Sequence, residues 1–446
     1  MAAYFKSEVL GKEKISMFAT LRQRNFALLW FGGLISTMGD WVLNVGLPIY
    51  VYLLTRSVLA LSISVLLTSI PNIVLGSIAG VFVDRWNRKR TLIIVNLLLA
   101  LGLLPLLLVH TADRIWIIYL VALIESSLEQ FSSPAQNALL PVLVGEEHLV
   151  QANSLNSLTN NLSRLIGPAL GGLIAAVFAL NGIVLADAAS FLIAALLISM
   201  ITVASQLPDQ ASTQQPVVEM KPAGRFWDEW VDGLRVIHSE RTLSVLLAMF
   251  AIMMLGEGVF AVLYPIFVYR VLHGEAMQIG QLMSAQAIGG LFGGLLLGWL
   301  GKRVMSRWSI GLFSVAFGFG DLLIFNSPAF FPSYWVSVGL FIAVGVVGIA
   351  CSTGAQSLLQ IKSPDVYRGR VFGVLGMITG LLALIGTVTA GFLTDHLGLI
   401  TILNIQAGGY MFAGLLVLVL LPRQKQRVPL PKEAESAELL PMQTES

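Results

Sequence analysis

VLALSISVLLTSIPNIVLGSIAGVFVDRWNRKRTLIIVNLLLALGLLPLLLVH, residues 58–110, sets two apolar stretches on either side of a short cationic loop. Each stretch, 58–82 and 91–110, is long enough to cross a hydrocarbon layer of ~30 Å as a helix. The loop between them holds Arg85, Arg88, Lys89 and Arg90. Strong positive charge resists transfer across a membrane, so such a loop fixes on which side the hairpin turns.

The same pattern continues in both directions. Apolar runs of membrane-spanning length recur from Phe26 to Leu421, at 26–54, 58–82, 91–110, 115–139, 152–178, 182–205, 243–269, 277–300, 308–325, 334–361, 371–394 and 399–421. The chain is 56% hydrophobic and 12% charged, where a soluble domain carries about 25% charged residues. A large soluble protein with many buried helices would show a polar stripe on each helix, and most of these runs show none. A membrane β-barrel would show short alternating segments, which are absent. About twenty-four mostly polar residues precede the first run, and they do not read as a cleavable signal peptide. The reading is an all-α polytopic membrane protein of twelve transmembrane helices.

An even number of spans puts both termini on one side. Of the 27 lysines and arginines, 23 fall in one set of loops and tails, Arg56, Arg114 and Arg270 fall in the other, and Arg164 lies within a span. Positive loops stay inside, so both termini are expected to be cytoplasmic and the protein to reside in the plasma membrane. The net charge of +2 argues against a nucleic-acid partner. The single cysteine, Cys351, lies inside an apolar run, which excludes a disulfide framework. None of His110, His148, His238, His273 and His396 sits in a metal-ligand spacing, and no cofactor is expected.

The chain repeats itself. Arg24, Gly39-Asp40 and Pro48-Ile-Tyr-Val-Tyr52 match Arg241, Gly256-Glu257 and Pro265-Ile-Phe-Val-Tyr269 at an offset of 217. Leu165-Ile-Gly167 matches Leu384-Ile-Gly386 at 219, and Ala135-Gln136 matches Ala355-Gln356 at 220. Six spans separate each pair, so the copies run parallel, and parallel halves place a substrate site at their interface near the bilayer midplane. A channel fits less well, because channels more often surround one pore with several identical subunits; a monomer is expected. The expected division is a cytoplasmic segment 1–25, a six-helix half 26–205, a linker 206–241 with an amphipathic helix over 225–240, a second half 242–421 and a disordered cytoplasmic tail 422–446.

The 2–3 loop, Gly80-Val-Phe-Val-Asp84-Arg85-Trp-Asn87-Arg88-Lys89-Arg90, resembles the GxxxD(R/K)xGR(R/K) signature of the major facilitator superfamily. Asn87 replaces the family's second glycine, and asparagine tolerates a left-handed turn better than other non-glycine residues. Arg164-Leu-Ile-Gly167-Pro168-Ala-Leu-Gly171-Gly172 resembles the family's antiporter signature. The 8–9 loop, Gly298-Trp-Leu-Gly301-Lys302-Arg303, is a degenerate copy of the first signature without its aspartate. Gly39-Asp40-Trp41, Pro134-Ala-Gln-Asn-Ala-Leu-Leu140 and Ala152-Asn-Ser-Leu-Asn156 are similar to the branch of macrolide efflux pumps and enterobactin exporters.

The likeness covers roughly residues 20–421. It implies the major facilitator fold and export of a hydrophobic or amphipathic small molecule by proton antiport. Gly80, Asp84, Arg85 and Arg88 would form a gate, Asp84 helping to hold the outward-facing state closed inside. Lysophospholipid transporters of the superfamily look similar in places, so a lipid transporter is the alternative. A membrane-embedded enzyme or sensor would need a convergent nucleophile–base or metal constellation, and none is found. No phosphate-binding loop for ATP appears, and the glycines at 289–298 lie within a span, where they permit close helix packing.

Charges within spans carry the site candidates, because a charge at the bilayer centre costs about 2.5–3.5 kcal/mol on insertion scales. Asp40 lies deep in span 1 and Glu257 holds the matching place in span 7, the two spans that line the family's central cavity. A carboxyl group in a dry cavity can exchange a proton near neutral pH; the alternative role is an interhelical hydrogen bond. Glu125 and Glu129 share one face of span 4, and Arg164 in span 5 lies nearer in depth to Glu125, so a structural ion pair is expected among them, a role in proton coupling or in the substrate cavity being the alternative. Asp187 is expected near the outer end of span 6, solvated or capping. Asp321 is more embedded, without an evident partner. Trp30, Trp41, Phe260, Tyr264, Met253, Met254 and Met283 either line an apolar pocket or face lipid and neighbouring helices. Reporter fusions at residues 145, 220 and 430 are expected to appear cytoplasmic and those at 112 and 273 external; an external residue 220 overturns the arrangement of two sixes.

Overall fold

The computed structural model describes residues 17–202, 223–364 and 367–422. The expected segment up to residue 16, residues 206–222 of the linker and the tail beyond 422 lie outside the described residues. All regular structure among the described residues is helical. The long helices are α1 (Arg24–Thr55), α2 (Val58–Arg85), α3 (Arg88–Leu103), α4 (Ile115–Val144) and α5 (Leu149–Ser199). After them come α6 (Ala223–Ser239), α7 (Arg241–Arg270), α8 (Ala276–Leu300), α9 (Arg307–Phe330), α10 (Tyr334–Lys362), α11 (Arg368–Leu397) and α12 (Leu399–Leu420). Eleven helices are long and apolar enough to cross a membrane; α6 is not among them.

Helix α5 accounts for two spans. Its 51 residues would run about 76 Å at 1.5 Å per residue, far beyond one bilayer. The chain turns at Ala179, whose φ of 52° and ψ of −149° break the helix. The break falls between the expected spans 152–178 and 182–205. Helix α3 ends sooner than expected: Pro105 has no N–H to continue the ladder, and residues Leu104–Leu108 tighten into a 3-10 turn.

Both halves pack by one pattern. In the first, α1 and α3 lean on α5, and α4 packs on α2 and α3; in the second, α7 leans on α11 and α12, α9 on α12, and α10 on α8 and α9. Helix pairs α5–α8 and α2–α11 join the halves. In lipid no hydrophobic force draws helices together, so close backbone approach at small residues does the work. A Cβ on Gly171 would lie 2.8 Å from Val42 Cα of α1, and one on Gly172 would lie 2.5 Å from the Ala276 carbonyl oxygen of α8.

The two faces of the molecule differ. One face carries the cationic 2–3 loop and the other carries Arg56, Arg114 and Arg270. Toward the cation-poor face one apolar core runs through both halves, from Val45, Ile49 and Phe191 to Val262, Phe267 and Phe325. Toward the cation-rich face it divides into separate cores, one around Phe26, Leu139 and Leu155, the other around Leu246, Cys351 and Leu358. The joining helices follow suit. Gly391 of α11 presses on Ser62 of α2, and Gly280 of α8 presses on the Pro168 carbonyl of α5, near the cation-poor face. Nearer the other face, Gly80 of α2, Gly376 of α11 and Gly294 of α8 meet nothing within 4 Å. The halves are closed at the cation-poor face and apart at the cation-rich one.

Helix α6 docks on α11. Asp232 pairs with Arg370 at 3.1 Å, and Ile237 is buried in the second-half core. A methyl at Gly280 meets a backbone carbonyl that cannot step aside, whereas one at Gly294 enters open space. Gly280→Ala is therefore expected to lower the thermal unfolding midpoint in detergent, by roughly 1–3 kcal/mol of overpacking. Gly294→Ala should leave it unchanged or raise it slightly, alanine being the better helix former. Equal midpoints for the two variants contradict the closed α5–α8 seam.

Candidate functional site

Asp40 stands about halfway along α1. It is half-buried, and its Oδ1 is shielded and has no hydrogen-bond partner. Gly39 beside it allows the second leg of α5 to close in: a Cβ there would lie 2.5 Å from Asp187 Oδ1. Asp187 is fully buried, not solvated as expected, because it lies two turns into that leg on the side that meets α1. The Ser190 hydroxyl donates toward the main-chain oxygen and Oδ1 of Asp187, at 2.8 and 3.2 Å, and Oδ2 is left without a partner.

Glu125 and Glu129 of α4, half-buried one turn apart, face the same region. Asp40, Asn44 and Glu129 are shared by two cavities. A smaller one of about 130 Å³ lies between α1, α2 and α4 and includes Glu125, Ser64 and Thr68. A larger one of about 430 Å³ lies between α1, α3, α4 and the second leg of α5 and includes Trp41, Asn96 and Gln136. Both are walled by the first half alone, not by the interface where the repeat places a site. Among the described residues, no lysine, arginine or histidine lines either one. The four carboxyl groups act electrostatically on one another without a cation among the lining residues.

The expected ion pair of Arg164 with Glu125 or Glu129 is absent among the described residues. Arg164 is exposed on the first leg of α5, and its charge acts on Glu257 of α7, across the divide between halves. The first leg of α5 packs on α1 and α8 and hardly touches α4, which leaves Arg164 without an acid of α4. Glu257 is exposed and lines neither cavity. Behind it Gly256 packs on the Tyr410 ring, and Gln406 Nε2 donates to Asp321 Oδ2 at 3.4 Å, which gives buried Asp321 its partner. Asp187 and Gln406 stand at the offset of 219, as do Leu165 and Leu384.

Gly167, Pro168, Gly171 and Gly172 form a seam between α1 and α8: Gly167 packs on Trp41, Gly171 on Val42 and Gly172 on Ala276. Of the apolar candidates, Trp41 lines the larger cavity, whereas Trp30 and Tyr264 are buried and donate to the carbonyls of Leu155 and Ile279. No group of acidic, histidine and cysteine side chains suited to a metal occurs among the described residues.

In the 2–3 loop, Asp84 and Arg85 are exposed, and nothing approaches Gly80. Arg88 donates to the Ala138 carbonyl at 2.9 Å, and Lys89 donates to those of Ser199 and Ile201 at 2.8 and 2.7 Å, so both brace the first half internally. Asn87 is not left-handed. At φ −69° it caps α3, its Oδ1 accepting from Arg90 N at 3.0 Å, a role glycine has no side chain to fill.

The cation-poor face carries a contact that sequence reasoning missed. Arg56 lies over the Tyr269 ring at 5.4 Å and donates to its hydroxyl at 3.0 Å, while Arg270 lies over the Tyr52 ring at 5.3 Å. The two tyrosines, which the repeat pairs, meet edge to face at 6.0 Å. Two of the three cations on this face thus tie α1 to α7. A cation over an aromatic ring contributes about 1 kcal/mol, close to a factor of five in a two-state population. Tyr269→Leu is expected to speed labelling of Ser64→Cys, in a Cys351→Ser chain, by an impermeant thiol reagent applied to the cation-poor face, roughly fivefold. An unchanged rate rules out a closing role for this contact.

The sequence profile of the Major Facilitator Superfamily matches residues 29–381 and 246–444. Macrolide efflux protein A of Streptococcus pyogenes is 27% identical over 380 residues, 84% of this chain and 90% of that protein. The enterobactin exporter EntS of Citrobacter koseri is 25% identical over 420 residues, 92% of this chain and 95% of that protein. Among solved structures, a bacterial homologue of the iron transporter ferroportin in its inward-facing state aligns with a TM-score of 0.68 at 18% identity, covering 89% of this chain and 98% of that one. Its outward-facing state aligns with a TM-score of 0.54 at 17% identity, covering 88% and 98%. A parallel repeat of six spans, a 2–3 loop with the superfamily's signature and a profile match over most of the length agree: the chain belongs to the Major Facilitator Superfamily.

Proposed function

We propose that this protein exports a hydrophobic or amphipathic small molecule from the cytoplasm by proton antiport, with Asp40 as the coupling carboxyl. The observation that carries the reading is the unpartnered Oδ1 of Asp40 at mid-membrane, facing cavities with Glu129 and no cation. The named relatives, a macrolide efflux protein and an enterobactin exporter, support the direction and the class of cargo. Under the positive-inside rule the cation-rich face is the cytoplasmic one, with both termini on that side, and the reading has the protein act as a monomer in the plasma membrane. The structure is then inward-facing.

The coupling follows from the cost of burying charge. Closing the cytoplasmic side around an ionised, unpartnered carboxylate takes it from water without compensation, which costs several kcal/mol. A proton on Asp40 removes that cost, and so does a substrate that satisfies the carboxylate. The empty, deprotonated carrier is thus held from closing, and the protein changes face either with a proton or with cargo. Protons enter from outside, leave to the cytoplasm, and cargo moves the other way.

Inverted vesicles with an acidic lumen test this, with erythromycin, enterobactin and a lysophosphatidylcholine as separate probes. The wild type is expected to accumulate at least one of the first two when the gradient is imposed. Asp40→Asn keeps the shape and cannot titrate; it should bind the probe within about threefold of wild type, yet accumulate none above passive equilibration. Full gradient-driven accumulation by Asp40→Asn removes it as the coupling residue. Lysophosphatidylcholine as the one probe transported replaces the cargo class with lipid.

A further inference from the structure

The two cavities that meet at Asp40 cover an unusual length of one helix. On α1 the larger runs from Leu29 to Asn44 and the smaller from Asp40 to Pro48. Leu29 to Pro48 is about 28 Å of helix at 1.5 Å per residue, nearly the ~30 Å of the hydrocarbon layer. The route never leaves the first half: its walls are α1 to α4 and the second leg of α5. Its lining is hydroxylated on both sides of Asp40, with Ser36, Thr37 and Ser133 toward the cation-rich face and Ser64, Thr68 and Ser126 toward the other. Both volumes, about 430 and 130 Å³, exceed the ~10–15 Å³ that a single water needs, and polar walls keep such space wet.

The acids stand where the cavities join. Asp40 and Glu129 line both, Glu125 lines the smaller one, and Asp187 lies behind Gly39. Helices α2 and α3 contribute no charged side chain to the lining. Oδ1 of Asp40 and Oδ2 of the wholly buried Asp187 both lack partners. Carboxyl groups gathered without a cation cannot all be ionised together, so at least one proton resides among them.

We propose that these cavities are the two arms of a hydrated proton path confined to the first half, with Asp40 and Glu129 as the proton-holding step between them. The proposal rests on the antiport reading and adds to it where the proton goes. Asn44, one turn beyond Asp40, lines both cavities, so its side chain stands between them.

The test contains no cargo. Full-length protein is reconstituted in liposomes with a trapped pH dye, and proton entry is driven by a potassium diffusion potential. Asn44→Ala widens the junction and is expected to leak protons at least tenfold faster than wild type. Adding Ser133→Leu, which plugs the larger arm, should return the leak to the wild-type rate, and thermal melting verifies that both variants are folded. Absence of a leak in folded Asn44→Ala overturns the path. A leak that survives Ser133→Leu places proton passage elsewhere and also overturns it. Sodium entering as fast as protons assigns the path to alkali cations instead. Failure of antiport itself shows in the cargo assay with Asp40→Asn, so the two ideas fail separately.

Discussion

In the hydrocarbon layer each backbone N–H and C=O must find its partner within the protein, and the rest of this structure follows from that requirement. It makes every membrane-crossing segment here a helix. It also removes the force that assembles soluble helices, since lipid is as apolar as leucine. What remains is fit. The residues of the Gly167–Gly172 seam let α1 and α8 approach α5 to backbone contact. The same residues look like an export signature in the sequence, and in the structure they are the axis on which the halves meet.

Fit alone would give an inert bundle, and the acids make it responsive. Asp40, Glu125, Glu129 and Asp187 gather within the first half with no cation lining their cavities. Burying charge in this way is costly unless the groups are paired or protonated. The second half repeats the geometry with different chemistry. Gln406 stands where the repeat has Asp187, and it donates to Asp321. One half holds an acidic cluster with unpartnered oxygens, and the other pairs its buried acid with an amide. The Arg164 charge, facing Glu257 instead of the first-half acids, preserves that difference.

The two faces are secured by different means. At the cation-poor face Arg56, Arg270, Tyr52 and Tyr269 join α1 to α7 above a core shared by both halves. At the cation-rich face the cores are separate, and Arg88 and Lys89 spend their hydrogen bonds inside the first half. Asp84 and Arg85 stay exposed beside Gly80. Arg370 at the start of α11 is meanwhile held by Asp232 of α6.

The number of spans, their parallel repetition and the side on which charge collects were legible in the sequence, because insertion into lipid is a local free energy summed along each segment. The break of α5 at Ala179 followed the same logic, marked by a run too long for one crossing. The candidate acids were legible as well, since any charge within an apolar run stands out. Their partners were not. Helical periodicity says which residues share a face, but rotation and tilt are set by packing against neighbours. The packing of α5 on α1 and α8 instead of α4 left the Arg164 charge to act on Glu257, and the closeness of α1 to the second leg of that helix buried Asp187 beside Gly39. The sequence determined which charges lie within spans; only tertiary packing, by setting which helices touch and along which faces, decided how deeply each is buried and which charges meet.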